Sequence, residues 1–564
     1  MPFNATERWV RIALVLGILI FLNILLSFVR LELDFTEDKR YSLTRGSLNT
    51  LEQTREAIYV RVLLDGDFPS GFKRLQHSVI DLLRQFRSIN PQIEFSVEDP
   101  NSGSPEEINE MREKLSKDGL LPINLKVQTG TGKSEQLIFP YAVFNLGERK
   151  IAVNLVEHDP ALDQEANISQ SISQLEYKFV NALSKLQQKE KKNILFTASS
   201  GELPEENTLA VQQQLRPFYH VVRADLDSLY SIKESVDLVI VARPLQPFSE
   251  RNKFILDQYL MQGGKILWMV DVLQIGIDSF TYRQDFIPEP LDLNLSDLFF
   301  QYGIRIDPTL VLDMECARIA QVIGKVGDKP QIELFPWNYF PLAAPYSNHP
   351  IVNNIDRILL DFPAKIDTVK SAGSVTKTPL IVSSPYSRFQ LAPARVGFDM
   401  LRYAPDASKF DKPHLIMGVL LEGQFKSLYA NRPEQSMLEA MEKLGLSFRT
   451  ESQKAAMIIV SDGDLIRNYY DASTDKFSPV GYSKFEKTTY NGNRAFFLNA
   501  VEYLVSEENI LEARGKEFKI RMLDQVKISR EKSFWQLLNT ALPLVLLLLG
   551  GQVHRYLRKK KYTT

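Results

Sequence analysis

The sequence contains a single cysteine, Cys316, in 564 residues. One cysteine makes no intramolecular disulfide, no CxxC redox pair and no Cys-rich zinc site. It also lies too deep in the chain to be the lipidated cysteine of a bacterial lipoprotein. An excess of one charge is missing too. Lys+Arg 67 against Asp+Glu 69 gives a formal net charge of −2, without the basic surplus of a nucleic-acid-binding chain. The six histidines (His77, His158, His220, His349, His414, His554) show no HExxH or other metal-ligand spacing. No solenoid-length repeat is present. What remains is ordinary globular usage, 44% hydrophobic and 24% charged, which argues against wholesale disorder. At about 150 residues per domain the length predicts roughly three or four domains.

Two apolar runs stand out from that average, Ile12 to Val29 and Phe534 to Val553. Each approaches the ~20 residues that span a bilayer as a helix. No small-x-small cleavage site follows the first, so it reads as an uncleaved anchor. The second contains Pro543 and Gly550-Gly551, which membrane helices tolerate. Arg8 and Arg11 precede the first run, and Arg555, Arg558, Lys559, Lys560 and Lys561 follow the second. The positive-inside rule therefore puts both termini in the cytoplasm and the rest across the membrane. Setting the flanking basic residues and Glu7 aside leaves a mildly acidic ectodomain, which gains nothing electrostatically from facing an anionic membrane.

Periodicity predicts an α/β ectodomain. Residues 57–64 and 93–97 read as strands. Leu75, Val79, Leu82, Leu83 and Phe86 set a helix over 72–89, and Ser104 caps a second helix over 105–117. Strands over 124–128, 136–145 and 150–156 and a long helix over 168–189 complete a βαβαβββα order of thioredoxin-like type without redox cysteines. After a charged linker, 187–192, apolar strands at 193–198, 236–242 and 265–270 alternate with helices near 208–215 and 250–262. Continuous apolar strands alternating with helices define a parallel sheet covered on both faces. The same character resumes at 378–383, 414–421, 455–460 and the helix 495–504, while the Pro- and aromatic-rich 336–350 reads as an ordered loop. The expected organisation is a cytoplasmic N-terminus (1–11), a transmembrane helix (12–29), an N-terminal α/β domain (30–190), a parallel α/β domain (191–294) and an α/β region continuing it (295–506). A juxtamembrane stalk (507–533), a second transmembrane helix (534–553) and a basic cytoplasmic tail (554–564) follow.

Few motifs carry chemistry. Gly130-Thr131-Gly132-Lys133-Ser134 resembles the end of a phosphate-binding loop, but the position for its leading glycine is Val127. Strand-like residues flank it on both sides, so it reads as a hairpin turn, and ATP chemistry must come from another chain. Ser199-Ser200-Gly201-Glu202 follows a parallel strand and lacks the Gly-x-Ser-x-Gly elbow. Cys316 has no triad context, and His349 is its closest histidine in sequence, so a buried structural thiol is expected. Ser461-Asp462-Gly463-Asp464 follows another strand at the carboxyl edge, where α/β sheets place ligands. Its acids suit either a divalent cation or a loop in which Asp464 caps a following helix. Asp462, Asp464 and Glu202 are thus candidate ligand-site residues. No catalytic residue, cofactor site or metal site is specified.

The chain resembles the gliding-motility ABC-transporter auxiliary family of Bacteroidota, known as GldG, over essentially its full length. The resemblance rests on YSLTRGSLNTLEQ, LDQYLMQGGKILWMVD, LSDLFFQYGIRID, FPWNYFPL, NHPIVNNID, VLLEGQFKSLY, IIVSDGDLIRN and RAFFLNAVEYL. Its middle part is similar to an auxiliary domain of glutamine-amidotransferase-like fold lacking the catalytic triad. The resemblance implies a non-catalytic inner-membrane subunit with a periplasmic domain, partnered by a multi-span ABC permease and a cytoplasmic ATPase. It also implies a link to gliding motility and type 9 secretion, and a periplasmic envelope partner or substrate. Two other readings are a receptor for a sugar, peptide or lipid, and an envelope hydrolase using Asp462, Asp464 or Glu202.

Overall fold

The computed structural model describes residues 14–18, 20–21, 42–66, 68–118, 120, 122–129, 132–156, 164–188, 190–280, 285–326, 329–347, 349–353, 355–403, 405–431, 435–443, 445–506 and 525–562. The chain forms two units, Met1–Glu517 and Phe518–Thr564.

The first unit begins with α1 (Arg45–Gln53), capped by the Thr44 hydroxyl, which accepts from Ser47 N–H. Next come β1 (Ile58–Val62), α2 (Ser70–Ile89), β2 (Ile93–Val97) and α3 (Pro105–Lys117). In α2 the predicted apolar stripe is the buried face, with Phe72, Leu75, Val79, Leu83 and Phe86 in the core. α3 starts in a capping box in which Ser104 and Glu107 satisfy each other's backbone N–H. The hairpin β3 (Ile123–Thr129) and β4 (Gly132–Ile138) pairs Thr129 with Gly132, so strands do flank the phosphate-loop-like glycines. β5 (Tyr141–Leu146) and β6 (Arg149–Asn154) complete a four-stranded sheet in the order β2-β1-β5-β6. In it β1 runs parallel to β2 and antiparallel to β5.

Two expected elements are divided. The strand expected over 136–145 breaks at Phe139-Pro140, because proline supplies no N–H to a ladder. The helix expected over 168–189 is α4 (Gln164–Ser173) and α5 (Leu175–Gln187). Ser171 and Ser173 hydroxyls donate to the carbonyls of Asn167 and Gln170 just before the break, a local competition that bends helices.

A seven-stranded sheet follows. β7 (Lys192–Thr197), α6 (Leu209–Leu215), β8 (Tyr219–Ala224), β9 (Val236–Ala242), α7 (Glu250–Met261) and β10 (Lys265–Met269) build its first half. β8 escapes sequence detection because it is an edge strand with a weak inside-outside pattern. Gly263 and Gly264 turn α7 into β10. Gly263 has φ +93, and a Cβ on Gly264 would lie 2.5 Å from the Tyr259 ring, so both positions favour glycine.

Farther along are β11 (Cys316–Val326), β12 (Lys329–Ala343), β13 (Ser374–Val382), β14 (Ile416–Lys426), β15 (Glu451–Val460) and α8 (Asn491–Val505). The sheet order is β13-β14-β15-β10-β9-β7-β8, parallel from β15 to β8 and antiparallel from β15 to β13. Buried aliphatic clusters cover its two faces. The stretch expected as a loop at 336–350 is instead largely strand, since β12 runs through Ala343. Its Trp337 and Tyr339 alternate into an aromatic core with Phe280, Phe340 and Phe362. Pro336 and Pro341 fit because they sit beside a register irregularity in a ribbon, where proline is tolerated.

In the second unit, α9 (Gln525–Tyr562) contains one segment, Glu531–Lys560, long and apolar enough to cross a membrane. Its mean hydropathy is 1.6 and none of it is buried. The expected 534–553 span lies within it. Of the expected 12–29 span, residues 14–18 and 20–21 are helical and the rest lies outside the described residues, as does the stalk over 507–524.

Candidate functional site

The carboxyl edge of the parallel strands collects charged residues, because each apolar strand ends where the chain re-emerges. Asp462 follows β15, Asp271 follows β10 and Arg243 follows β9. Asp462 is buried, and its two oxygens accept from Asp361 N–H at 2.9 Å and Asp464 N–H at 2.8 Å. Asp464 stands 3.4 Å from both Arg243 Nε and Arg467 Nη1. Asp271 accepts from Gly463 N–H at 2.8 Å and lies 3.4 Å from Arg243 Nε. Arg243 adopts φ 53, a left-handed conformation unusual for a side-chain-bearing residue, while its N–H donates to Met269 carbonyl at 2.8 Å. A Cβ on Gly463 would lie 2.6 Å from Arg243 Cγ and 2.8 Å from Asp271 Oδ2. Glycine therefore lets the loop sit against the guanidinium stem.

Four carboxyl groups thus share the neighbourhood of two guanidinium groups. Burial, followed by the charge of Asp464, pushes Asp271 up to about 6 and Asp361 up to about 7. Burial and then Asp271 hold Asp462 well above the carboxylate range. For Arg243, burial opposes the charge, but Asp464 and Asp271 outweigh it and raise its pKa. Chemically the arrangement is a clasp of carboxyl and guanidinium groups across the ends of β9, β10 and β15. The oxygens of Asp462 are engaged by backbone N–H groups. Among the described residues, no set of three or more His, Cys, Asp or Glu side chains is arranged to hold a metal ion.

The sequence-predicted residues divide accordingly. Asp462 and Asp464 belong to one network, but the helix expected after Asp464 is absent: residues 463–466 form a turn closed by Arg467 N–H to Asp464 carbonyl. Asp462 accepts the Asp464 N–H in an Asx turn, and the Asp464 carboxylate stands against Arg243 and Arg467. Glu202 stands elsewhere, in the loop after β7. Its Oε2 accepts from Ser200 N–H at 2.6 Å, and its buried Oε1 has no hydrogen-bond partner. Among the described residues no hydrogen bond or ion pair joins it to Asp462 or Asp464. Thr197 Oγ1 and Ser199 Oγ, on the same segment, are likewise buried without partners. Cys316 is half-buried, 3.8 Å from Asn338 Nδ2, with burial pushing its thiol up to about 12. His349 packs instead on Tyr503.

Sequence reasoning missed Arg243, Asp271, Asp361 and Arg467. A usable signal existed for the first two, each being the charged residue next after an apolar strand (VIVA-Arg243, and Asp271 one past Val270). Asp361 lies in an irregular segment and carried no such signal.

These features define a mixed α/β protein with a braced carboxyl edge and a candidate membrane helix. Residues 191–500 match the family model of an ABC-type uncharacterized transport system, and the chain belongs to that family, as an auxiliary component. Residues 37–145 match a domain of unknown function. The chain is similar to an uncharacterized protein of Borreliella burgdorferi, 22% identical over 431 residues, 73% of this chain and 76% of that protein. The solved mmIFT52 N-terminal domain aligns with 56% of this chain and 98% of its own length, at 13% identity and a TM-score of 0.31.

Proposed function

We propose that the chain is a non-catalytic, membrane-anchored subunit of an ABC transport complex, coupling a multi-span permease and a cytoplasmic ATPase to an envelope partner or substrate. The observation that carries this reading is the family match over 191–500, which takes in the whole seven-stranded sheet. The apolar helix Glu531–Lys560 supports membrane attachment. On this reading Ile12–Val29 is a second span, both termini are cytoplasmic, and the ectodomain is periplasmic. Its N-terminal domain (30–190) serves as a thioredoxin-like scaffold and its middle as an amidotransferase-like one. A link to gliding motility and type 9 secretion, in a host of the Bacteroidota, belongs to the same proposal and rests on the family resemblance.

The test is a mild-detergent pull-down of the tagged full-length chain from native membranes, with mass spectrometry of what co-purifies. Recovery of a permease and an ATPase in comparable amounts is expected. A chain truncated after Glu531 should fold and lose both. Recovery of the full chain alone, where other membrane complexes survive, would overturn the proposal.

A second reading, a small-ligand receptor, draws on one specific observation. The sheet order reverses at β7, which has β8 on one side and β9 on the other, and ligands of α/β sheets favour such switch points. The unpartnered oxygens of Thr197, Ser199 and Glu202 cluster in sequence at its carboxyl end. Ligand-dependent thermal stabilisation, abolished by Glu202→Gln, would favour this reading.

A further inference from the structure

The helix of the second unit carries a run of cations at one end. α9 is continuous from Gln525 to Tyr562, so no loop separates its apolar part from the basic residues that follow. The apolar stretch Phe534 to Val553 covers about 30 Å at ~1.5 Å per residue, the thickness of a bilayer's hydrocarbon. Exposed aromatic side chains bracket it, Phe534 and Trp535 on one side and Tyr556 on the other, as at the two interfaces of a membrane helix. Arg555, Arg558, Lys559 and Lys560 then occupy the next ~8 Å, about the depth of one headgroup layer. All four are exposed. Arg555, Arg558 and Lys559 stand at i, i+3 and i+4 and so share one helix face.

We propose that this end of the helix is a binding site for anionic phospholipid headgroups, which collect around it in preference to zwitterionic ones. Like charges at that spacing work against a helix, and no Asp or Glu follows Glu531 in the sequence to offset them. A side-chain counter-charge within this end of the helix is therefore missing, and an anion from outside supplies it. Position selects lipid over an acidic protein surface. The cations begin two residues after the apolar stretch, at the depth where lipid phosphates lie. They also emerge on opposite sides of the helix, since Lys560 lies ~200° around from Arg558. A lipid annulus reaches every side, whereas a protein surface covers one. The other end is less one-sided, with Glu531 between Arg530 and Lys532. On the orientation proposed above, the bound lipid belongs to the cytoplasmic leaflet, whose surface is negative. Such a collar resists axial displacement of the helix, as an anchor for a motion-coupling subunit requires.

The proposal rests on the reading of Glu531–Lys560 as a membrane helix, and the test separates the two. The full chain, carrying Cys316→Ser and either Leu546→Cys or Leu557→Cys, is labelled with a fluorophore and incorporated into phosphatidylcholine vesicles. Spin-labelled phosphatidylglycerol or spin-labelled phosphatidylcholine, at one low fraction, serves as the quencher. The probe at 546 reports the helix: if neither lipid quenches it, both the helix reading and the proposal are overturned. With that probe quenched, the probe at 557 should be quenched several-fold more by the phosphatidylglycerol label than by the phosphatidylcholine label. The excess should vanish with Arg555→Gln, Arg558→Gln, Lys559→Gln and Lys560→Gln combined. It should also vanish in ~1 M salt, where the screening length is about 3 Å. Equal quenching by the two labels would overturn the proposal alone, in favour of an acidic protein surface as the occupant. An excess that survives the four substitutions would overturn it as well. The salt series uses the unsubstituted basic end, so an excess indifferent to salt refutes the proposal even if the substituted chain does not incorporate.

Discussion

Replacing Asp271 by asparagine tests whether the carboxyl-edge clasp is an ion pair or a crowd of carboxyl groups. The asparagine keeps an oxygen for the Gly463 N–H at 2.8 Å but cannot ionise. The contact from Arg243 Nε is 3.4 Å, long for a charge-assisted bond, while burial and the charge of Asp464 oppose a charge on Asp271. Its pKa of about 6 stands above the ordinary 3.8, a displacement of about two pH units at ~1.4 kcal/mol each. Between those values the native side chain keeps a proton that the unfolded chain has released. The contribution of Asp271 to stability is therefore fullest below about 3.8 and is lost as pH rises through about 6. Asp271→Asn should match the parent near pH ~4 and exceed it by ~1–3 kcal/mol near pH ~8. Urea titration read by hydrogen exchange on peptides covering Lys265–Met269 and Glu451–Val460, corrected for intrinsic exchange, reports opening of this sheet rather than of the whole chain. A variant equal to the parent in acid but weaker at pH ~8 would refute the reasoning, since the carboxylate would then be a net favourable partner of Arg243.

Gly463→Ala should destabilise the same sheet by ~1–3 kcal/mol, because the new methyl meets Arg243 Cγ at 2.6 Å. The urea midpoint of the same peptides checks it. Lys185→Ala removes the cationic partner of buried Glu502 at 3.0 Å, leaving it the Tyr219 and Ser506 hydroxyls, and the cation over the Phe218 ring at 4.5 Å. These contacts tie α5 to α8 and to the residue before β8. Limited proteolysis should therefore cut faster around residues 187–192 in the variant, with a loss of roughly 2–4 kcal/mol against unfolding. Unchanged cleavage would mean that the tie carries no load between the two sheets.

Regular elements were legible where burial imposes a period. The α2 stripe, the Ser104 cap and the apolar strands β9, β10 and β15 all follow from side-chain pattern, because a buried face admits few residue types. What escaped detection obeys weaker local rules. β8 is an edge strand with mixed exposure, and the split between α4 and α5 depends on serine hydroxyls bonding backward to their own helix. β12 was hidden by prolines that its pairing tolerates, and its true signal was the alternation of Trp337 and Tyr339. For the candidate site, position after an apolar strand identified Asp462 and Asp464. The same rule applied uniformly would have found Arg243 and Asp271. Asp361 reaches the cluster through tertiary folding from an irregular segment, and no local pattern encodes that.

The carboxyl edge is where an open α/β sheet ordinarily exposes strand ends to a ligand, and here β9, β10 and β15 end in one another's side chains. Asp462 takes the N–H of Asp361 and of Asp464, Asp271 takes that of Gly463, and Arg243 stands between Asp271 and Asp464. Every one of these contacts joins segments far apart in sequence or closes the loop that presents them. An edge satisfied in this way resists relative movement of its strands, because displacing one loop breaks bonds to at least two others. For a subunit proposed to carry permease motion outward, that stiffness is the useful property, since a soft sheet would absorb displacement instead of passing it on. The buried carboxyl groups, whose pKa values are raised, make the brace dependent on pH in the direction that Asp271→Asn tests, so the same measurement bears on the chemistry of the site and on its mechanical role.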